Sequence, residues 1–159
     1  MLCSLKKSPP TINLKFGQVE LSQVDTHKHL GLTFSKTLNW SSHINSLLDS
    51  VTPMANILKI LKHSVDRHSL EKIYFTFIRP RLEYGCHILD NCSAADASKL
   101  EDFQLGIAWT VTGAKRGTSH DALYIELGWL KLSERRNNIK MKIFSNIAEG
   151  NAPAFTYAH

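Results

Sequence analysis

Carboxylates are the first place to look for chemistry in these 159 residues. Two-metal phosphoryl chemistry needs acids close enough to hold two divalent cations side by side. Here Asp25, Asp49, Asp66, Glu83, Asp90 and Asp102 are scattered, and no strand carries an adjacent Asp-Asp pair. No Ser/His/Asp or Cys/His arrangement stands out, and no glycine-rich phosphate loop. The residues needed for a complete active site are therefore missing, and no cofactor is expected in this chain.

Histidine and cysteine raise the question of a metal. His27 and His29, two apart on a strand, share a face, and Cys86, His87 and Cys92 lie close in sequence. Neither spacing is that of a zinc site, so no metal is expected, and surface histidines with buried small thiols account for both groups. Three cysteines with no C-x-x-C pair suggest reduced thiols in an intracellular protein, nuclear or cytoplasmic. No apolar stretch of signal-peptide length precedes Lys6-Lys7, and no window approaches a membrane span.

Positive charge is more informative. The chain has 19 Lys+Arg against 14 Asp+Glu, a formal +5. One cluster comprises Lys59, Lys62, Arg67, Lys72, Arg79 and Arg81, opposed by Asp66 and Glu71. A second comprises Lys131, Arg135, Arg136, Lys140 and Lys142, opposed by Glu134. Such clusters can neutralise phosphates, or they can simply be solvated helix faces. Trp40, Trp109 and Trp129 could stack on bases, but the apolar neighbours Leu105, Ile107 and Val111 place Trp109 in a core.

The elements that must position these residues change character near Trp40. Met1–Leu5 is a short apolar run stopped by Ser8-Pro9-Pro10. Ile12, Leu14 and Phe16 alternate with polar residues, Gly17-Gln18 makes a two-residue turn, and Val19–Leu21 returns. His29–Phe34 is a further strand. From Ser41 the period becomes helical, with Ile44, Leu47, Leu48, Val51, Met54, Ile57, Leu58 and Leu61 on one stripe. Ser41 or Ser42 is the expected cap, and Pro53 predicts a kink or a restart at Thr52. A second helix is expected over Ser69–Ile78, with Leu70, Ile73, Tyr74 and Phe77 inward, and a kink or break at Pro80. "LEYGCHILDNCS" continues helically, with Gly85 allowing close packing. Ser93 caps a helix over Ala94–Thr112 closed by Gly113, Ser119–Leu127 ends at Gly128, and Lys131–Glu149 ends at Gly150 and Pro153. The fold class is α+β, mostly α, with a small N-terminal antiparallel β element and a bundle of four or five helices.

"HKHLGLTFSKTLNWSSHI" carries a family resemblance. His29-Leu30-Gly31-Leu32, then Leu38-Asn39-Trp40-Ser41-Ser42-His43-Ile44, resembles the C-terminal part of jockey-like non-LTR retrotransposon reverse transcriptases. Further blocks follow in the same order. They are Ile73, Tyr74, Ile78, Pro80 and Tyr84, then Leu100, Gln104, Thr112 and Gly113, then Leu127–Arg136, then the "EGNAPAF" tail. Leu89 stands where the family usually has Trp, and Trp109 where a basic residue is usual.

The resemblance implies a division at Trp40. Residues 1–40 would be a palm-edge β element whose His29, Leu30 and Gly31 resemble the primer grip. Residues 41–159 would be the helical thumb and post-thumb region. The expected partner is a template–primer RNA–DNA or DNA duplex. Its backbone would be held by Lys59, Lys62, Arg67, Arg79, Arg81, Arg135, Arg136 and Lys140. The palm and fingers of the same polyprotein would be a second partner. The family's Phe/Tyr-Ala-Asp-Asp motif does not occur in the sequence, so Mg2+ is expected only for the full-length family enzyme. The alternative is a small helical protein-interaction module with no nucleic-acid role.

Overall fold

The computed structural model describes residues 3, 13–115 and 117–151. The expected Met1–Leu5 run, apart from Cys3, lies outside them, as do the Pro9-Pro10 stop, Ile12 and the Pro153 tail. Two antiparallel hairpins come first. β1 (Leu14–Phe16) pairs with β2 (Val19–Leu21), and β3 (Thr26–His29) pairs with β4 (Leu32–Ser35). Beyond β4 the described chain forms helices and turns only, which is the α+β, mostly α class expected. The turn at Gly17-Gln18 is present, with Gly17 at φ 61°.

The expected single strand over His29–Phe34 is instead the end of one hairpin. Leu30 (φ 45°) and Gly31 (φ 80°) both take positive φ and form a two-residue turn. This conformation matches the natural twist of the paired strands, and Gly at the second position relieves its cost.

α1 (Ser41–Leu61) runs unbroken through Pro53, so the restart at Thr52 does not occur. The Thr52 hydroxyl donates to the Leu48 carbonyl at 2.7 Å, within the same helix. Trp40, not a serine, holds the capping position. The Ser41 hydroxyl is used elsewhere, donating to Asp96 Oδ2 at 2.6 Å. Along the predicted stripe Ile44, Val51 and Leu58 are buried, while Ile57 points outward.

The next segment departs most from the prediction. α2 (Arg67–Ile73) starts earlier than Ser69, because Asp66 caps it by accepting the Ser69 N–H at 3.1 Å. A π-turn, Tyr74–Ile78, leads directly into α3 (Arg79–Glu83), so Pro80 does not break the rod. Leu70, Tyr74, Ile78 and Leu82 are all buried, at strict four-residue spacing. In an α-helix each such step drifts about 40° off a straight line. The wider π-turn takes back part of that drift and keeps the four side chains on one seam. It also suits Pro80, whose ring would press on the carbonyl one normal turn back. Phe77 consequently swings out and is 54% exposed, against the inward expectation.

α3 ends at Glu83, and "LEYGCHILDNCS" does not continue as a helix. Tyr84 is extended, Gly85 is left-handed at φ 65°, and a 3-10 turn follows over Leu89–Asn91. Gly85 does allow close packing, since a Cβ there would lie 2.9 Å from Leu32 Cδ2. α4 (Ala94–Thr112), α5 (His120–Leu127) and α6 (Leu132–Ala148) agree with the predicted spans, capped by Ser93 and Ser119 and closed by left-handed Gly113 and Gly128. α6 borrows its cap from a neighbour. Glu101 of α4 accepts the Leu132 N–H at 3.1 Å and the Ser133 N–H at 2.6 Å.

One core joins these parts. Trp40, Ile44 and Leu58 of the α1 region meet Tyr74 and Ile78, and Leu100, Ile107 and Val111 of α4. Tyr74 stacks on Trp129, with centroids 4.3 Å apart. Its hydroxyl donates to Gln104 Oε1 at 2.8 Å, and Gln104 Nε2 donates to the Leu130 carbonyl at 2.9 Å. Desolvation pushes the Tyr74 hydroxyl well above the ordinary tyrosine range, so it stays a donor.

Candidate nucleic-acid interface

The hairpin β3–β4 presents its turn outward and fastens its base inward. Leu30 at the tip is 75% exposed. Behind it the Tyr84 hydroxyl donates to the Leu30 carbonyl at 2.7 Å. A Cβ on Gly31 would stand 3.2 Å from Tyr84 Cε1, so the close approach this glycine permits is to a tyrosine ring. The base is held by Trp40, which is buried, lies edge-on to Phe34 at 5.3 Å, and donates from Nε1 to Asn91 Oδ1 at 2.7 Å. His43 Nδ1 accepts the Thr33 N–H at 3.3 Å, tying β4 to α1. Burial, with the Lys28 charge adding to it, lowers the His43 pKa and keeps the ring neutral. The hairpin is thus seated on the helices at three places, with the Leu30-Gly31 turn left facing solvent.

His29 lies beside that turn, paired with Leu32, its ring 6.3 Å from His27 on the same face. No group of three His, Cys, Asp or Glu side chains able to hold a metal occurs among the described residues. Cys86 is buried and Cys92 half-buried, and desolvation raises both thiol pKa values, with Arg136 opposing the shift. No helix among the described residues is long and apolar enough to cross a membrane.

The basic residues divide into two groups. Arg67 donates to Glu71, to the Glu126 carboxylate at 2.7 Å and to the Glu126 carbonyl at 2.9 Å, so it ties α2 to α5. Arg135 grips Glu83 through Nε and, at 3.1 Å, through Nη2. Arg79 Nε lies 3.8 Å from the same carboxylate, with its guanidinium 4.4 Å from the Phe75 ring centroid. Lys140 donates to Asp90 at 2.6 Å. These four spend charge on their own fold. Lys59, Lys62, Arg81 and Arg136 form no ion pair among the described residues. Lys59 and Lys62 lie at the C-terminal end of α1, and Arg81 projects from α3. The structure therefore brings Arg79 and Arg135 together on Glu83, while the free cations sit on separate elements.

Three side chains outside the expected site residues organise this region. Tyr84 anchors the turn, Glu83 gathers two arginines, and Asp96 joins helix starts. Asp96 is buried and accepts from Ser41, from Ser93 at 2.8 Å and from Lys99 at 3.0 Å. The Ser41 hydrogen bond leads the causes that hold its carboxyl below the usual range, with Lys99 and Ser93 adding to it. For Asp96 a sequence signal exists, the Ser-x-x-Asp spacing of a helix start. For Glu83 the signal is Arg79 four residues earlier, whereas its other partner, Arg135, and the Leu30 partner of Tyr84 lie more than fifty positions away.

Comparisons with protein-family models, with curated proteins and with solved structures find no match to this chain.

Proposed function

We propose that the chain is the primer-grip and thumb portion of a jockey-like non-LTR retrotransposon reverse transcriptase, which holds a template–primer duplex and does not itself polymerise. The observation that carries the reading is the exposed Leu30-Gly31 turn, seated on a helical bundle by Tyr84, Trp40 and His43. A turn so placed can present main chain to a primer terminus while the helices beside it track the backbone. Lys59, Lys62, Arg81 and Arg136, which form no ion pair among the described residues, supply sequence-independent phosphate contacts. His29, Leu30 and Gly31 are the primer-side residues, and all three are exposed, Leu30 at the tip. In this reading the protein is intracellular, the palm and fingers of the same polyprotein are partners, and Mg2+ belongs to the full-length enzyme.

Fluorescence anisotropy on blunt and recessed duplexes, at several salt concentrations, tests this. Binding should be weak, with Kd of about 10⁻⁴ to 10⁻⁶ M at physiological salt, and log affinity should fall linearly with log salt. Lys59→Ala with Lys62→Ala should lower that slope by about two, one per lost phosphate contact. Leu30→Asp, at the exposed tip, should weaken binding to a recessed primer end more than to a blunt end. A full slope in the double-lysine variant would leave those lysines as solvated surface. Absence of binding by the folded protein at low salt would overturn the proposal.

A helical protein-interaction module is the second reading, and the ion pairs favour it. Arg67, Arg79, Arg135 and Lys140 are engaged within the fold, which reduces the charge available for phosphates.

A further inference from the structure

Between the π-turn, the loop after α5 and the first turns of α6 lies a cavity of about 140 Å³. Its walls include Phe75, Arg79, Gln104, Trp129 and Arg135. Two of these side chains carry buried donors with no hydrogen-bond partner among the described residues, Arg79 Nε, whose nearest acid is Glu83 at 3.8 Å, and Trp129 Nε1. Trp129 is only 8% exposed, so its indole has no recourse to bulk water. Burying a donor without a hydrogen bond is unfavourable, which makes two on one cavity a feature needing an explanation. The other polar groups around it are committed. Gln104 is used at both ends by Tyr74 and Leu130, and Arg135 holds Glu83. In charge, two arginines face one carboxylate, which leaves one positive charge in excess.

We propose that this cavity is a binding site for a small oxyanion, a carboxylate or a phosphate. The chemistry follows from the walls. The unmet groups are all donors, the net charge is positive, and Phe75, Tyr74 and Trp129 lower the local dielectric, which strengthens a charge-assisted hydrogen bond. The volume is that of about four to five water molecules, enough for the head of such an anion. Arg79 lies at the rim, a third exposed, and is the side chain that admits or releases the guest. The site is independent of the duplex-binding reading, since its unmet donors are Arg79 Nε and Trp129 Nε1 and none of Lys59, Lys62, Arg81 or Arg136 lines it.

Trp129 supplies its own probe. In a ¹H–¹⁵N spectrum of the full chain, inorganic phosphate or acetate should shift the Trp129 indole resonance saturably, with a Kd in about the millimolar range. The Trp40 indole, already bonded to Asn91, should stay still and reports that the fold is intact. A larger effect of phosphate or of acetate distinguishes the two chemistries. Arg79→Gln should weaken binding about tenfold or more, the loss of one charge-assisted donor, while Arg79→Lys, which keeps the charge and loses Nε, should fall between. A Trp129 resonance that does not move, or moves equally with sodium chloride at matched ionic strength, would show that water alone fills the cavity and overturn the proposal. An unchanged affinity in Arg79→Gln with an unmoved Trp40 signal would also overturn it.

Discussion

At Gly85 and Gly128 the backbone takes nearly the same left-handed conformation, with φ of 65° and 64°. Their surroundings differ. A Cβ at Gly128 meets nothing within 4 Å, whereas at Gly85 it meets Leu32 at 2.9 Å. Gly128→Ala should therefore cost about 1–2 kcal/mol, the backbone term alone. Gly85→Ala should cost about 2–4 kcal/mol, because overpacking a buried leucine is added. Urea midpoints with unchanged slopes measure both, and equal losses would show that Leu32 yields freely. His43 makes a second prediction at this scale. Its folded pKa lies below the unfolded value of 6.5, so the unfolded chain takes up the proton first as pH falls. The stabilisation from neutral His43 is full above the unfolded value and is lost as pH falls through the folded one. His43→Asn keeps an acceptor for the Thr33 N–H but cannot titrate. From about pH 7.5 to about 5.5, the wild-type midpoint should fall more than that of the variant.

Among the elements, α6 depends on another helix for its start. Lys131 offers no side-chain cap, and the Glu101 carboxylate receives two backbone N–H groups that would otherwise be bare. The negative charge also complements the positive end of the helix dipole. Glu101→Ala should cost about 1 kcal/mol, the usual worth of an N-cap. Because α6 carries Arg135, the loss should be accompanied by fraying that spreads toward the Glu83 pair. Hydrogen exchange along residues 135–139 reads that fraying, and unchanged exchange there would mean that the ion pair alone fixes α6.

For the molecule as a whole, the two hairpins are unequal. β3–β4 is seated on the core, but every residue of β1 and β2 is exposed, with Phe16 at 80%. A lone two-stranded hairpin is marginal in water, and its apolar faces and free edges invite pairing with other chains. Amides of residues 14–21 should exchange by local opening, while those around Leu100–Ala108 in α4 wait for global unfolding. The protein should also self-associate as its concentration rises. Phe16→Glu with Val19→Lys should reduce that association in light scattering while leaving the melting temperature unchanged. A fall in Tm would show that the first hairpin is built into the core.

The periodicity of the residues was enough to set strands before helices, the change from strand to helix at Trp40, the Ser93 cap and the helix ends at Gly113 and Gly128, because each depends on residues within one or two turns. The Gly17 turn was legible for the same reason. The Leu30-Gly31 turn was not, since Leu at positive φ is locally unfavourable and is held by Tyr84 from fifty-four positions away. Pro80 predicted a kink or break; the chain does not break there, and a π-turn keeps Leu70, Tyr74, Ile78 and Leu82 buried along one seam. The basic clusters could be counted from composition. Which cations remain free was decided by Glu83, Asp90 and Glu126, acids far along the chain that the fold delivers to Arg135, Lys140 and Arg67. Charge is a property of sequence, but its availability depends on which opposite charges the tertiary structure brings within a few ångströms.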